Sequence, residues 1–100
     1  MRVAAVALGS LLLFGQDALP DAVIQLALAT ASAQLGVPAD NLVLVNWADT
    51  AWPDSSLGCP EPGKAYAQIV TPGFVVTVDT DDGAAEVQVH TDRGSRGAIC

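Results

Sequence analysis

Cys59, His90 and Cys100 are the side chains with the strongest metal-binding or proton-handling chemistry in this chain. Zinc takes thiolate sulfur and imidazole nitrogen, so the three form a conceivable ligand set. Recognisable zinc sites carry ligands in close pairs such as Cys-x-x-Cys, and here each of the three stands alone in the sequence. A Cys59–Cys100 disulfide is the better reading, since two cysteines in a small exported domain usually pair. Such a bridge closes a loop of about 42 residues and constrains the unfolded chain by roughly 4 kcal/mol on the chain-entropy model. Ser55, Ser56 and His90, with one of several aspartates, supply the residue types of a hydrolase triad. A triad also needs a base oriented by a third group and a pocket walled from water, and a chain this short has little material for both. Asp54-Ser55-Ser56 reads as loop-capping chemistry. Asp79-Thr80-Asp81-Asp82-Gly83 offers carboxylates, but a calcium loop spans about twelve residues with a distal bidentate Glu, and Glu86 is too close. An acidic hairpin tip in water accounts for it. No cofactor and no metal is expected, and the protein is not expected to be an enzyme.

Trp47, Trp52 and Tyr66 are three of only five aromatics. They either cover the open end of a small core or form a binding face, where Trp and Tyr act as anchors.

The elements that must position these residues come from a chain of 100 residues, enough for one domain. Its composition is 51% hydrophobic with eleven Asp/Glu against four Lys/Arg, a formal net charge of −7. Setting aside Arg2, the cations are Lys64, Arg93 and Arg96. Nucleic-acid binding needs clustered cations, and anionic membrane surfaces select for them too, so both are excluded as expectations. Met1-Arg2 followed by the apolar run Val3–Phe14 has the layout of a signal peptide, and residues 1–18 are read as such a segment. The run is too short to span a bilayer comfortably. Its cleavage site lacks an Ala-x-Ala, and the other reading of the run is a helix of the folded domain.

Residues 19–100 are read as a single α+β domain: one helix packed on an antiparallel sheet of about four strands, with one disulfide. Leu19-Pro20-Asp21 opens a helix, and Ile24, Ala27, Leu28, Ala31 and Leu35 recur at helical spacing. Gly36-Val37-Pro38 closes it. Leu42–Trp47 has strand length and composition. Ala48–Gly63, with three prolines and two glycines, predicts a long irregular connection. Strands are predicted over Lys64–Val70, Phe74–Asp79 and Ala85–Thr91, with a turn at Thr71-Pro72-Gly73 and a tight hairpin at Thr80-Asp81-Asp82-Gly83. Gly97–Cys100 is a last short segment returning toward Cys59.

The stretch Trp52-Pro53-Asp54-Ser55-Ser56-Leu57-Gly58-Cys59-Pro60-Glu61-Pro62-Gly63, with Tyr66-Ala67-Gln68, Pro72-Gly73, His90-Thr91 and Cys100, resembles a group of small uncharacterised exported bacterial proteins. The likeness covers about residues 35 to 100 and implies no activity. The helix-then-strands order is similar to a PepSY-type unit, which would imply an envelope or propeptide setting. Gln68-Ile69-Val70-Thr71-Pro72-Gly73 resembles, with one extra residue, the Gln-x-Val-x-Gly hairpin of cystatin-type inhibitors of cysteine proteases. In those inhibitors a Trp-bearing loop follows that hairpin, whereas Trp47 and Trp52 precede it here.

The expectation is therefore a small secreted or envelope-facing, monomeric, non-enzymatic binding module, an inhibitor or partner of a protease or of another protein or peptide. Its contact residues would be Trp52, Pro53, Gln68, Val70, Pro72 and Gly73. No nucleic acid and no membrane insertion after signal removal is expected. The alternative is a structural domain of the cell envelope without a defined site.

Overall fold

The computed structural model describes residues 18–100; the expected export signal falls almost wholly on residues outside them. A helix, α1 (Asp21–Leu35), is followed by a short 3-10 turn (Ala39–Asn41) and four strands, β1 (Leu42–Trp52), β2 (Thr71–Thr80), β3 (Glu86–Thr91) and β4 (Gly97–Ala98). The strands form one antiparallel sheet in the order β1-β2-β3-β4, with α1 across one face. This is the expected α+β architecture.

The Pro20 carbonyl accepts the first helical bonds, from the Val23 and Ile24 amides. Gly36 ends the helix with φ of 67° and donates to the Ser32 carbonyl, the left-handed stop that glycine adopts without Cβ strain. The face that α1 buries differs from the expected stripe by one position. Val23, Ala27 and Ala31 are fully buried, while Ile24, Leu28 and Leu35 lie partly exposed on the flank. The axis of contact is a row of small residues, which lets the helix approach the sheet closely. Apolar residues occupy most positions of α1, so spacing alone did not single out the buried row.

The core combines Leu19, Val23, Ala27 and Ala31 with Leu42, Phe74, Val76, Val78 and Val89. In β2 the even-numbered residues Phe74, Val76 and Val78 face the helix, matched across the ladder by Val89 on β3 and Trp47 on β1. β1 reaches that register through a bulge between Leu44 and Asn46. The extra residue, Val45, moves Trp47 onto the face of Leu42 and Leu44 and leaves Val45 about half exposed.

Three predicted boundaries change. β1 runs to Trp52 rather than ending at Trp47, because Ala48–Trp52 pairs with Val75–Thr71 despite its weak strand composition. Lys64–Val70 is not a strand. The segment pairs with no strand of the sheet, and its residues are exposed apart from the half-buried Tyr66, so its alternation reflects no buried face. Thr71-Pro72-Gly73 is not a turn but the start of β2, paired with Trp52, Ala51 and Thr50. Proline is tolerated there because β3 pairs with β2 only from Phe74 onward, leaving Pro72 with one neighbouring strand. The hairpin between β2 and β3 occupies residues 81–85, beside the expected position. Thr80 and Asp82 bind the Ala84 amide with their side chains, and Gly83 turns the chain at φ of 76°.

Candidate functional site

Among the described residues, the face of the sheet opposite α1 is covered at one end, by the connection that leaves β1 at Trp52. Trp52 closes β1 with its side chain on this face and is 9% exposed. Its indole Nε1–H donates to the Thr91 carbonyl at 2.8 Å, so the one polar atom of a large buried ring is satisfied. Two glycines make room for it. A Cβ on Gly73 would stand 1.9 Å from the Thr91 oxygen and 2.9 Å from Trp52 Nε1, and one on Gly58 would meet the six-membered ring at 2.8 Å.

The connection then makes a tight turn from Ser56 to Cys59, with Cys59 N–H donating to the Ser56 carbonyl at 3.0 Å. Leu57 and Gly58 both have positive φ, 58° and 75°. Leu57 is 1% exposed, so this turn drives a leucine inward against the far side of the sheet. The turn is held from below by Asp54, whose Oδ1 accepts from the Ser56 amide at 2.9 Å and the Ser56 hydroxyl at 2.6 Å. The Ser56 hydroxyl and amide together hold the Asp54 carboxyl below its usual range. Ser55 is spent on the same loop, its Oγ accepting from the Ala67 amide, while the Arg96 guanidinium reaches the Ser55 carbonyl.

His90, from the middle strand β3, stacks on Trp52 with ring centroids 4.6 Å apart. Its Nδ1 lies 2.7 Å from the Leu57 carbonyl oxygen and 3.5 Å from Cys59 Sγ. A carbonyl only accepts, so Nδ1 carries a proton. Cys59 and Cys100 are joined as expected, with Cα atoms 5.5 Å apart. The ligand-type atoms of Cys59, His90 and Cys100 lie within 4.8 Å of one another. With the sulfurs bonded to each other, neither cysteine offers the thiolate that a zinc site requires. The three isolated residues of the sequence thus meet in space around one disulfide.

The six residues expected at a binding face divide. Trp52 and Gly73 are interior, whereas Pro53, Gln68, Val70 and Pro72 are exposed. Trp52 and Pro72 lie at the same end of the sheet, on paired strand ends. Next to them the chain from Gln68 to Val70 precedes the β2 ladder, which begins at Thr71, and carries Ile69 and Val70 at 63% and 68% exposure. The sequence places Ile69 on the predicted strand Lys64–Val70 and not among the contact residues. Beside this segment an open groove of about 460 Å³ lies between Ala22, Pro72, Asp92 and Arg93. Its rim is rigid: Asp92 Oδ1 accepts from the Gly94, Ser95 and Arg96 amides and Oδ2 from the Ser95 hydroxyl. Partial burial works to raise the Asp92 carboxyl, but the Ser95 hydroxyl and the three amides outweigh it and hold it well below the usual carboxylate range. Arg93 crosses the Phe74 ring at 5.7 Å.

Among the described residues no helix is long and apolar enough to cross a membrane. Residues 24–100 match the model of a domain of unknown function, DUF8738, and the chain belongs to that family. No curated protein and no solved structure shows a significant similarity to it.

Proposed function

We propose that this member of the DUF8738 family is an exported, non-enzymatic binding module whose contact surface is the segment Gln68–Pro72 with the adjoining groove. The observation that carries the proposal is the exposure of Ile69 and Val70, two adjacent β-branched residues at 63% and 68%. They sit in a stretch outside the β ladder, with a bend at Ile69, held at one end by β2 and at the other by the Ser55–Ala67 bonds. A chain already tethered at both ends loses less entropy when a partner grips it. The partner class that fits is a protein with an apolar cleft for an exposed loop, and a protease is the first to test. Pro53 flanks the segment, whereas Trp52 and Gly73 support it from inside. The disulfide agrees with an exported, oxidising setting.

The burial of Trp52 favours the second reading, a structural envelope domain in which the aromatics only close the core. The two readings separate by measuring inhibition and binding of papain-type, serine and metalloproteases, with wild type and an Ile69→Asp/Val70→Asp double variant. Micromolar or tighter binding by wild type, lost in a variant with an unchanged melting curve, supports the binding module. Equal behaviour of the two proteins against every protease leaves the structural reading.

A further inference from the structure

We infer that Cys59–Cys100, with His90, is a thiol–disulfide exchange site that a low-molecular-weight thiol enters at Cys100. This inference is independent of the binding surface proposed above. The two sulfurs differ in surroundings. Cys100 is exposed, and its Sγ lies 3.3 Å from the Gly58 carbonyl oxygen, which offers no proton. Cys59 is half-buried, and its Sγ lies 3.5 Å from the protonated Nδ1 of His90. Exchange rates depend on which sulfur is reachable and on how well the departing thiolate is stabilised. Both conditions select the same direction.

An incoming thiolate RS⁻ attacks Cys100 Sγ, forming an R–S–Sγ bond there and breaking the Cys59–Cys100 bond. The electron pair of that bond leaves on Cys59 Sγ, where the His90 N–H meets the new anion. A second RS⁻ then attacks the R sulfur of the mixed disulfide, releasing RSSR and the Cys100 thiolate. Two thiols are oxidised and one protein disulfide is reduced. The protons given up by the two RSH return through solvent to the two protein thiolates. Run backward, Cys59 is the sulfur that attacks a mixed disulfide on Cys100 and restores the bridge.

His90 is a positioning residue in this scheme. Its proton is shared with the Leu57 carbonyl at 2.7 Å, and its ring is fixed by the Trp52 stack, so the N–H is aimed before the anion forms. A purely structural disulfide would need no donor at one sulfur, and its rate of reduction would not depend on His90.

The test is to expose the folded, oxidised full chain to excess reduced glutathione, quench with acid and alkylating reagent, and map the mixed disulfide by tandem mass spectrometry. Glutathione is expected on Cys100 in about tenfold excess over Cys59. Equal labelling, labelling mainly on Cys59, or a disulfide untouched while the fold persists would overturn the inference. His90→Phe keeps an aromatic over Trp52 and removes the donor. If it folds by circular dichroism, its rate of reduction should fall about three- to tenfold. An unchanged or faster rate in that folded variant would also overturn it. Should His90→Phe fail to fold, the site of labelling on the wild-type chain decides alone.

Discussion

At Leu57 the backbone takes φ of 58°, a region where a branched aliphatic residue costs about 1–2 kcal/mol. Full burial of a leucine side chain returns about 1.5–3 kcal/mol, which settles the balance in favour of the turn. Leu57→Ala should therefore destabilise by about 2–4 kcal/mol. Leu57→Gly should cost no more than Leu57→Ala, since relief of the left-handed backbone offsets the added chain entropy. Urea unfolding of the pair measures this, and a glycine variant less stable by a further kilocalorie would mean the turn is not under strain. Asp92 makes a second residue-scale prediction. Its carboxyl titrates lower when folded than when unfolded, so its contribution is complete above about pH 4 and is lost as the pH falls through the folded value. Asp92→Asn should flatten the fall in melting temperature between about pH 5 and pH 2, with its full destabilising effect at neutral pH and a shrinking one as the pH falls. Neither feature was legible from the sequence. Leucine is an unexpected choice for a positive φ, and only the fold shows that Asp92 is ringed by three amides.

Among the elements, α1 was the easiest to read and its orientation the hardest. Pro20, Asp21 and Gly36 mark its ends by local chemistry, which needs no knowledge of the sheet. Its rotation depends on which of many apolar side chains the sheet can accept, and the small row of Val23, Ala27 and Ala31 fits. Ala27→Leu should thus destabilise more than Leu28→Ala: the first overpacks a closed contact at about 1–3 kcal/mol, the second trims a half-exposed residue. Thermal melts of the two variants check the order. The strands followed a similar pattern. β2 and β3 were read nearly to their ends because Val76, Val78, Val87 and Val89 alternate, whereas the bulge at Val45 and the pairing of Pro72 arise from neighbours. Lys64–Val70 misled by alternating without a partner strand. Its one informative feature was the adjacent apolar pair Ile69-Val70, the signal that should have marked it as exposed.

At the largest scale, among the described residues the sheet carries the main core on one face and a smaller one on the other, at the Trp52 end. The disulfide spans that smaller core, joining the long connection to the segment after β4. Constraining a loop of this length is worth about 4 kcal/mol, against a total of roughly 5–10 kcal/mol for a domain of this size. Cys59→Ser/Cys100→Ser should accordingly lower the melting temperature by well over ten degrees, by about 4–8 °C per kcal/mol. Loss should concentrate at the Trp52 end, visible as faster amide exchange at Leu57 and Cys59 before that at Val76 and Val89. Uniform acceleration would mean that the two cores unfold as one. The disulfide itself was legible from two cysteines, but its closeness to His90 was not, because β3 and the loop meet only through the folded sheet.

The seat of Trp52 has a consequence beyond this one chain. The indole fills the space left by absent side chains at Gly58 and Gly73, so the three positions are one volume shared among three sites. They are not free to drift separately. Among relatives that keep the family's fold, a side chain where Gly58 stands should occur only together with a smaller residue where Trp52 stands. Gly73 should stay fixed in every one of them, because the Thr91 carbonyl, which no substitution can shrink, stands 1.9 Å from where its Cβ would be.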